Sequence, residues 1–124
     1  LMEVIDALDH PLLVASYSPS VAQAAGESVG NGINVIGDRL AIARIRDLKN
    51  GVPCLLGEGD LGASQAVAAL KAARFGGWVI YENDSAFLPG GPDLSTALAH
   101  AARTLFDWAG DAVRTPSRAQ MQVR

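Results

Sequence analysis

Two charged clusters stand immediately after apolar runs: Arg44, Arg46 and Asp47 after Leu40-Ala41-Ile42-Ala43, and Glu82, Asn83 and Asp84 after Trp78-Val79-Ile80-Tyr81. A carboxylate in such a place can move a proton or hold a metal, and a guanidinium presents a planar donor fork that grips phosphate or carboxylate. Glu82 is the leading catalytic candidate, because it directly follows its apolar run and its carboxylate is expected in or just above the mouth of a sheet. The competing reading of each charge is a solvated strand end without a role. A second constellation, Gly57-Glu58-Gly59-Asp60-Leu61-Gly62, matches G-x-G-x-x-G and precedes a helical pattern. Glu82 lies about 20 residues on, where a dinucleotide-binding unit keeps its ribose-binding acid. Against that reading stand the short, proline-interrupted Val52-Pro53-Cys54-Leu55-Leu56 and the negative charge that Glu58 and Asp60 would bring beside a pyrophosphate.

These groups act together only if strands carry them to one end of a sheet. Leu1, Val4, Ile5 and Leu8 share one helical face, and Asp9-His10-Pro11 ends it. Residues 12–17 form an apolar run without alternation, the pattern of a parallel strand covered on both faces. Ser18-Pro19 suits a helix start and Gly26 a stop. Residues 27–37, with Gly30-Asn31-Gly32, are expected to be irregular. Strands are expected over 40–46 and 78–82, a loop over 49–53, and helices over 64–75 and 94–114. The strands lie too far apart for hairpins, so the connections are crossovers and the class is α/β with a parallel sheet. Three such strands cannot protect both faces and both edges, which points to part of a barrel or of a larger doubly wound sheet.

Composition narrows the functions. The 124 residues, 49% of them hydrophobic, fit one folded domain rather than a disordered tail. Ten basic against 13 acidic residues give a net charge of −3, which leaves no basic footprint for nucleic acid or an anionic membrane. No apolar run approaches the roughly 20 residues of a membrane helix, and no signal peptide is visible, so a cytoplasmic location is expected. Because the chain opens on Leu1 in mid-pattern, it reads as a piece of a longer protein. One cysteine, Cys54, excludes an internal disulfide and is read as a small buried group. His10 and His100 lack metal-ligand spacing, and Trp78 and Trp108 are expected in packing roles.

Leu40 to Asp47, Gly57-Glu58-Gly59-Asp60, the helix through Ala69-Leu70-Lys71, and Phe75-Gly76-Gly77 leading to Glu82 resemble, in order and spacing, the C-terminal part of xylose isomerase-like β/α-barrel proteins, the sugar phosphate isomerase/epimerase superfamily. Leu8-Asp9-His10-Pro11, followed by a strand and Ser18-Pro19-Ser20, is similar to the family's preceding segment. The resemblance implies about three βα units, the C-terminal part of a parallel (β/α)8 TIM barrel, with a partial barrel domain over 1–115 and a polar tail over 116–124. It also implies a sugar or sugar phosphate isomerised or epimerised through an enediolate. The family's cofactor is a divalent metal (manganese, magnesium or zinc) held by two glutamates, an aspartate and a histidine.

Glu82 matches the last glutamate ligand. Ser18 stands in the aspartate's place and Arg44 in the histidine's, while the other glutamate would fall before Leu1. Arginine is permanently protonated and a serine hydroxyl is a poor substitute for carboxylate, so the metal site is expected to be degraded. Arg44 and Arg46 then bind a phosphate or carboxylate, with Glu82 paired to one of them, or form a purely structural ion pair. Glu58 either faces the mouth in the family manner or sits in a solvated turn. The leading expectation is an isomerase/epimerase-like protein, and the alternative is a non-catalytic relative that binds a sugar or an anion. Either needs the missing N-terminal part of the barrel, or self-association, to cover its sheet.

Overall fold

A three-stranded parallel sheet is assembled from short strands separated by helical crossovers. The computed structural model describes residues 1–86 and 88–110. In chain order the elements are α1 (Met2–Leu8), β1 (Ala15–Tyr17), α2 (Pro19–Ala24), α3 (Val29–Ile36), a 3-10 turn (Gly37–Arg39), β2 (Leu40–Ile45), β3 (Leu48–Lys49), β4 (Val52–Pro53), α4 (Ala63–Ala72), β5 (Trp78–Tyr81), a second 3-10 turn (Asp84–Ala86) and α5 (Leu94–Ala109). The sheet order is β1-β2-β5, all parallel, which bears out the expected α/β class. The end of the helix expected over 94–114 and the tail boundary at 115/116 lie outside the described residues. Among the described residues no helix is long and apolar enough to cross a membrane.

The register sorts the side chains into two faces, because paired residues of parallel strands point the same way and successive residues alternate. Tyr17, Ala43 and Val79 share one face, and Ile45 and Tyr81 continue it. Ala43 and Ile45 are fully buried there against Ile33 and Ile36 of α3 and Ala63, Ala66 and Leu70 of α4. Ser16, Ile42 and Trp78, with Arg44 and Ile80, share the other face. Among the described residues no helix covers it: Trp78 is 63% exposed and Ile80 43%. An uncovered face is what three strands by themselves were expected to leave, whereas Trp78, expected in a packing role, lies in solvent. The first helix is present and ends at Asp9 as expected, and of its apolar stripe only Ile5 is buried.

The segment expected to be irregular, 27–37, contains α3. Val29, Ile33 and Ile36 fall at i, i+4 and i+7, and burying the two isoleucines supplies about 1.5–3 kcal/mol each, which outweighs the roughly 1 kcal/mol per helical glycine. Gly32 has a packing reason as well, for a Cβ at that position would overlap the Tyr17 ring. A loop was expected over 49–53, but β3 and β4 pair as an antiparallel hairpin. Its turn is Asn50-Gly51, with φ of 51° and 78°, the positive angles of the two-residue turn that Asn-Gly favours. The C-terminus of α4 closes with Phe75 N–H donating to the Leu70 carbonyl and Arg74 N–H to the Lys71 carbonyl, each at 3.0 Å, a Schellman pattern with Arg74 as its left-handed residue.

The two glycines of α3 should respond oppositely to alanine. Gly32→Ala is expected to lose about 1–3 kcal/mol by overpacking against Tyr17. Gly30→Ala, whose added Cβ meets only the Ala69 Cβ at 3.7 Å, is expected to gain up to about 1 kcal/mol from helix propensity. Urea unfolding of the two variants measures both.

Candidate functional site

The C-terminal ends of β2 and β5 bring the charged clusters together. Glu82 N–H donates to the Ile45 carbonyl at 2.8 Å, which extends the parallel ladder one residue past β5 and sets Glu82 beside the end of β2. Arg44 Nη1 lies 3.4 Å from Glu82 Oε1, with the two side chains 45% and 27% exposed. Arg46 Nη1 donates to both oxygens of Asp84, at 3.2 and 3.1 Å. Ser20, buried in α2, donates its hydroxyl to the Arg46 carbonyl at 3.0 Å and ties the first crossover to the same strand end. Each arginine is thus engaged through one terminal nitrogen, and Arg46 Nε is buried without a partner among the described residues. At these exposures the Arg44–Glu82 pair contributes less than about 1 kcal/mol to stability.

Immediately beyond this row, Asp47 turns inward and is 5% exposed. Its Oδ2 accepts from the Gly57 and Gly59 amides at 2.9 and 3.1 Å, and its Oδ1 from the Leu61 amide at 3.3 Å. The Asp60 amide donates to the Leu48 carbonyl at 2.9 Å, and Asp60 Oδ2 accepts from the Asn50 amide at 3.2 Å, so the loop is laced to the β3–β4 hairpin. The glycines are required by this clasp. Gly57 has φ of +95° and lies under the Trp108 ring, and a Cβ at Gly59 would overlap the Asp47 carboxylate. The G-x-G-x-x-G segment therefore wraps an internal anion, and the amides that a pyrophosphate would need are already engaged.

Glu58 projects from the clasp into solvent and makes no ion pair among the described residues, so the fold does not join it to the arginine row. His100 Nε2 donates to the Leu56 carbonyl at 3.0 Å, linking α5 to the same loop, and the His10 Nδ1 accepts from the Leu12 amide at 3.2 Å. Both histidines therefore serve backbone. Trp108 packs on the core, as expected, whereas Trp78 does not. The Cys54 thiol is pushed up to about 11, first by burial and then by the carboxylates of Asp47, Glu58 and Asp60. Burial, followed by Cys54, Asp47 and Asp84, raises the Tyr81 phenol.

The donor set is a poor fit to the divalent metal that the resemblance implies. Glu82 is paired with the Arg44 cation, and Ser18 is the buried N-cap residue of α2. Among the described residues no three His, Cys, Asp or Glu side chains gather in a way that could hold an ion. Asp84 and Asp47 stand in the strand-end clusters read from the sequence, but their partners do not follow from it: Asp84 pairs with Arg46, and Asp47 anchors the loop, for which the available signal is an aspartate at a strand end ten residues before a Gly-x-Gly pair. Comparison with protein-family models, with curated proteins and with solved structures gives no match.

Removing the clasp should cost far more than removing the exposed ion pair. Asp47→Ala, which strands three amides, is expected to lose about 2–4 kcal/mol, and Arg44→Ala less than about 1 kcal/mol, by denaturant unfolding. The raised thiol gives a separate check. At pH 8 Cys54 should react with iodoacetamide about 100-fold more slowly than a thiol of ordinary pKa near 9, and its rate should keep climbing with pH until about 11.

Proposed function

We propose that the chain is the C-terminal sector of a xylose isomerase-like (β/α)8 barrel and that its strand ends bind a sugar phosphate or a sugar acid. Support for the barrel comes from the sheet. Helices cover one face, while the other is apolar toward the start of the strands, at Ile42, Trp78 and Ile80, and charged at their C-terminal ends, as the inside of a barrel is. Further strands, from the upstream part of the barrel or from a second copy, would cover that face. Anion binding is carried by a single observation: Arg44 and Arg46 sit side by side at the central strand's C-terminal end with only one terminal nitrogen of each engaged. The remaining donors of Arg44 form a fork suited to phosphate or carboxylate, and the hydroxyls of a sugar suit the neighbouring Glu82 and Asp84 carboxylates.

A second reading keeps the chemistry of an isomerase or epimerase, in which a carboxylate takes a proton from the carbon beside a sugar carbonyl and returns it to the resulting enediolate. Glu82 supports it, because it follows β5 directly and lies on the row with Arg44. One experiment separates the readings. In calorimetry the 124-residue chain should bind a hexose phosphate at least about tenfold more tightly than the free hexose, and Arg44→Ala should erase that difference. Equal affinity for the two sugars, or binding indifferent to Arg44→Ala, overturns the proposal. Deuterium entering the bound sugar phosphate from heavy water, and lost in Glu82→Gln, would decide for the isomerase.

A further inference from the structure

At the opposite end of the sheet, where β2 and β5 begin, lies a hollow of about 270 Å³. Phe75, in the turn after α4, offers it a partly exposed ring, and Ile33 of α3 and Leu40 at the start of β2, both buried, lie behind. Two opposite charges line it, Asp38 from the 3-10 turn and Arg74 from the close of α4, both exposed. Neither is within ion-pair distance of the other, or of any other charged group among the described residues. This differs from the arginine row at the far end, where both cations have carboxylates. Opposite charges on one hollow that do not close on each other remain available to a ligand that carries both.

Arg74 is also held in an uncommon backbone state. Its φ of 52° is left-handed, at the position after a helix where glycine is the default because it has no Cβ to strain. Gly76 and Gly77 stand just beyond in the sequence, yet the left-handed position carries a guanidinium. Such an outlier beside a cavity is a reason to look for function. The C-terminus of α3 adds direction. Gly37, its cap, lines the hollow, and the unpaired carbonyls of a helix C-terminus favour a cation on the side where Asp38 stands.

We propose that this hollow is a binding site for a small zwitterion, an α-amino acid with an apolar side chain. Asp38 takes the ammonium, Arg74 takes the carboxylate, and the side chain lies against Phe75. The site is separate from the strand-end row and does not rest on its assignment.

The test is calorimetric titration of the 124-residue chain with L-leucine, with 4-methylpentanoate, which lacks the ammonium, and with 3-methylbutylamine, which lacks the carboxylate. L-Leucine should bind, and each single-charge analogue should bind at least about tenfold more weakly, as expected for losing one charge-assisted contact. Asp38→Asn and Arg74→Gly should each weaken leucine at least about tenfold. Arg74→Gly should meanwhile raise Tm by relieving the left-handed arginine, so that loss of binding is not loss of fold. No binding of leucine at tens of millimolar, equal binding of either analogue, or binding undiminished in Asp38→Asn or Arg74→Gly overturns the proposal.

Discussion

The buried carboxylate of Asp47 is the interaction on which the strand ends and the loops beyond them depend. An extended strand that stops must send its chain somewhere, and here the residue after Arg46 turns inward and collects three amides from a loop ten to fourteen positions away. Amides donated to an ionised carboxylate are among the stronger protein hydrogen bonds, about 1.5–3 kcal/mol each. Through them the end of β2 is joined to the approach to α4. Trp108 over Gly57 and His100 on the Leu56 carbonyl then dock α5 on the same loop. α4, which helps to bury Ala43 and Ile45, and α5 are thus positioned from the C-terminal end of the central strand.

Holding that loop close has a chemical consequence. With Asp47 committed inward, the groups left facing the strand mouth are Arg44, Arg46, Glu82 and Asp84, two cations and two carboxylates. Their charges balance within the row, so its partly exposed side chains cost little in desolvation and can be re-paired by an incoming ligand without leaving a bare charge. A divalent ion would face the two guanidiniums first. On the proposed reading, a phosphate would meet them as partners and release the carboxylates toward the hydroxyl groups of a sugar.

How much of this was legible in the sequence depends on whether the cause was local. The alternation of apolar runs with helix-period stripes gave the three parallel strands, α4 and α5, and a strand-end charge on β2 did meet one on β5. Residues 27–37 were unreadable locally because two glycines weaken a helix, while the reason for α3, burial of Ile33 and Ile36 and the seating of Tyr17 on Gly32, lies across the fold. The β3–β4 hairpin is the reverse case, since Asn50-Gly51 is a local turn signal that was absorbed into a loop. The glycine motif was legible as a constraint on backbone but not as to its cause. A glycine admits a phosphate and an aspartate equally, and only the partner's position in space distinguishes them.

The two faces of the sheet carry the last step. Apolar runs at 40–43 and 78–81 are what a parallel strand needs when both of its sides are covered, and the described residues cover only one. On the covered side the residues are small or branched and fully buried at the centre, Ala43 and Ile45, so α3 and α4 can approach closely. On the uncovered side Trp78 and Ile80 spread large apolar surfaces into water beside an edge strand whose outer backbone groups lack a ladder partner among the described strands. Burying a tryptophan or isoleucine of this kind yields about 1.5–3 kcal/mol. These two side chains stand in solvent on one face, while Ala43 and Ile45 at the centre of the other have no exposed surface. On the barrel reading proposed above, the charged row at the C-terminal end of the open face would be the rim of the enclosed space.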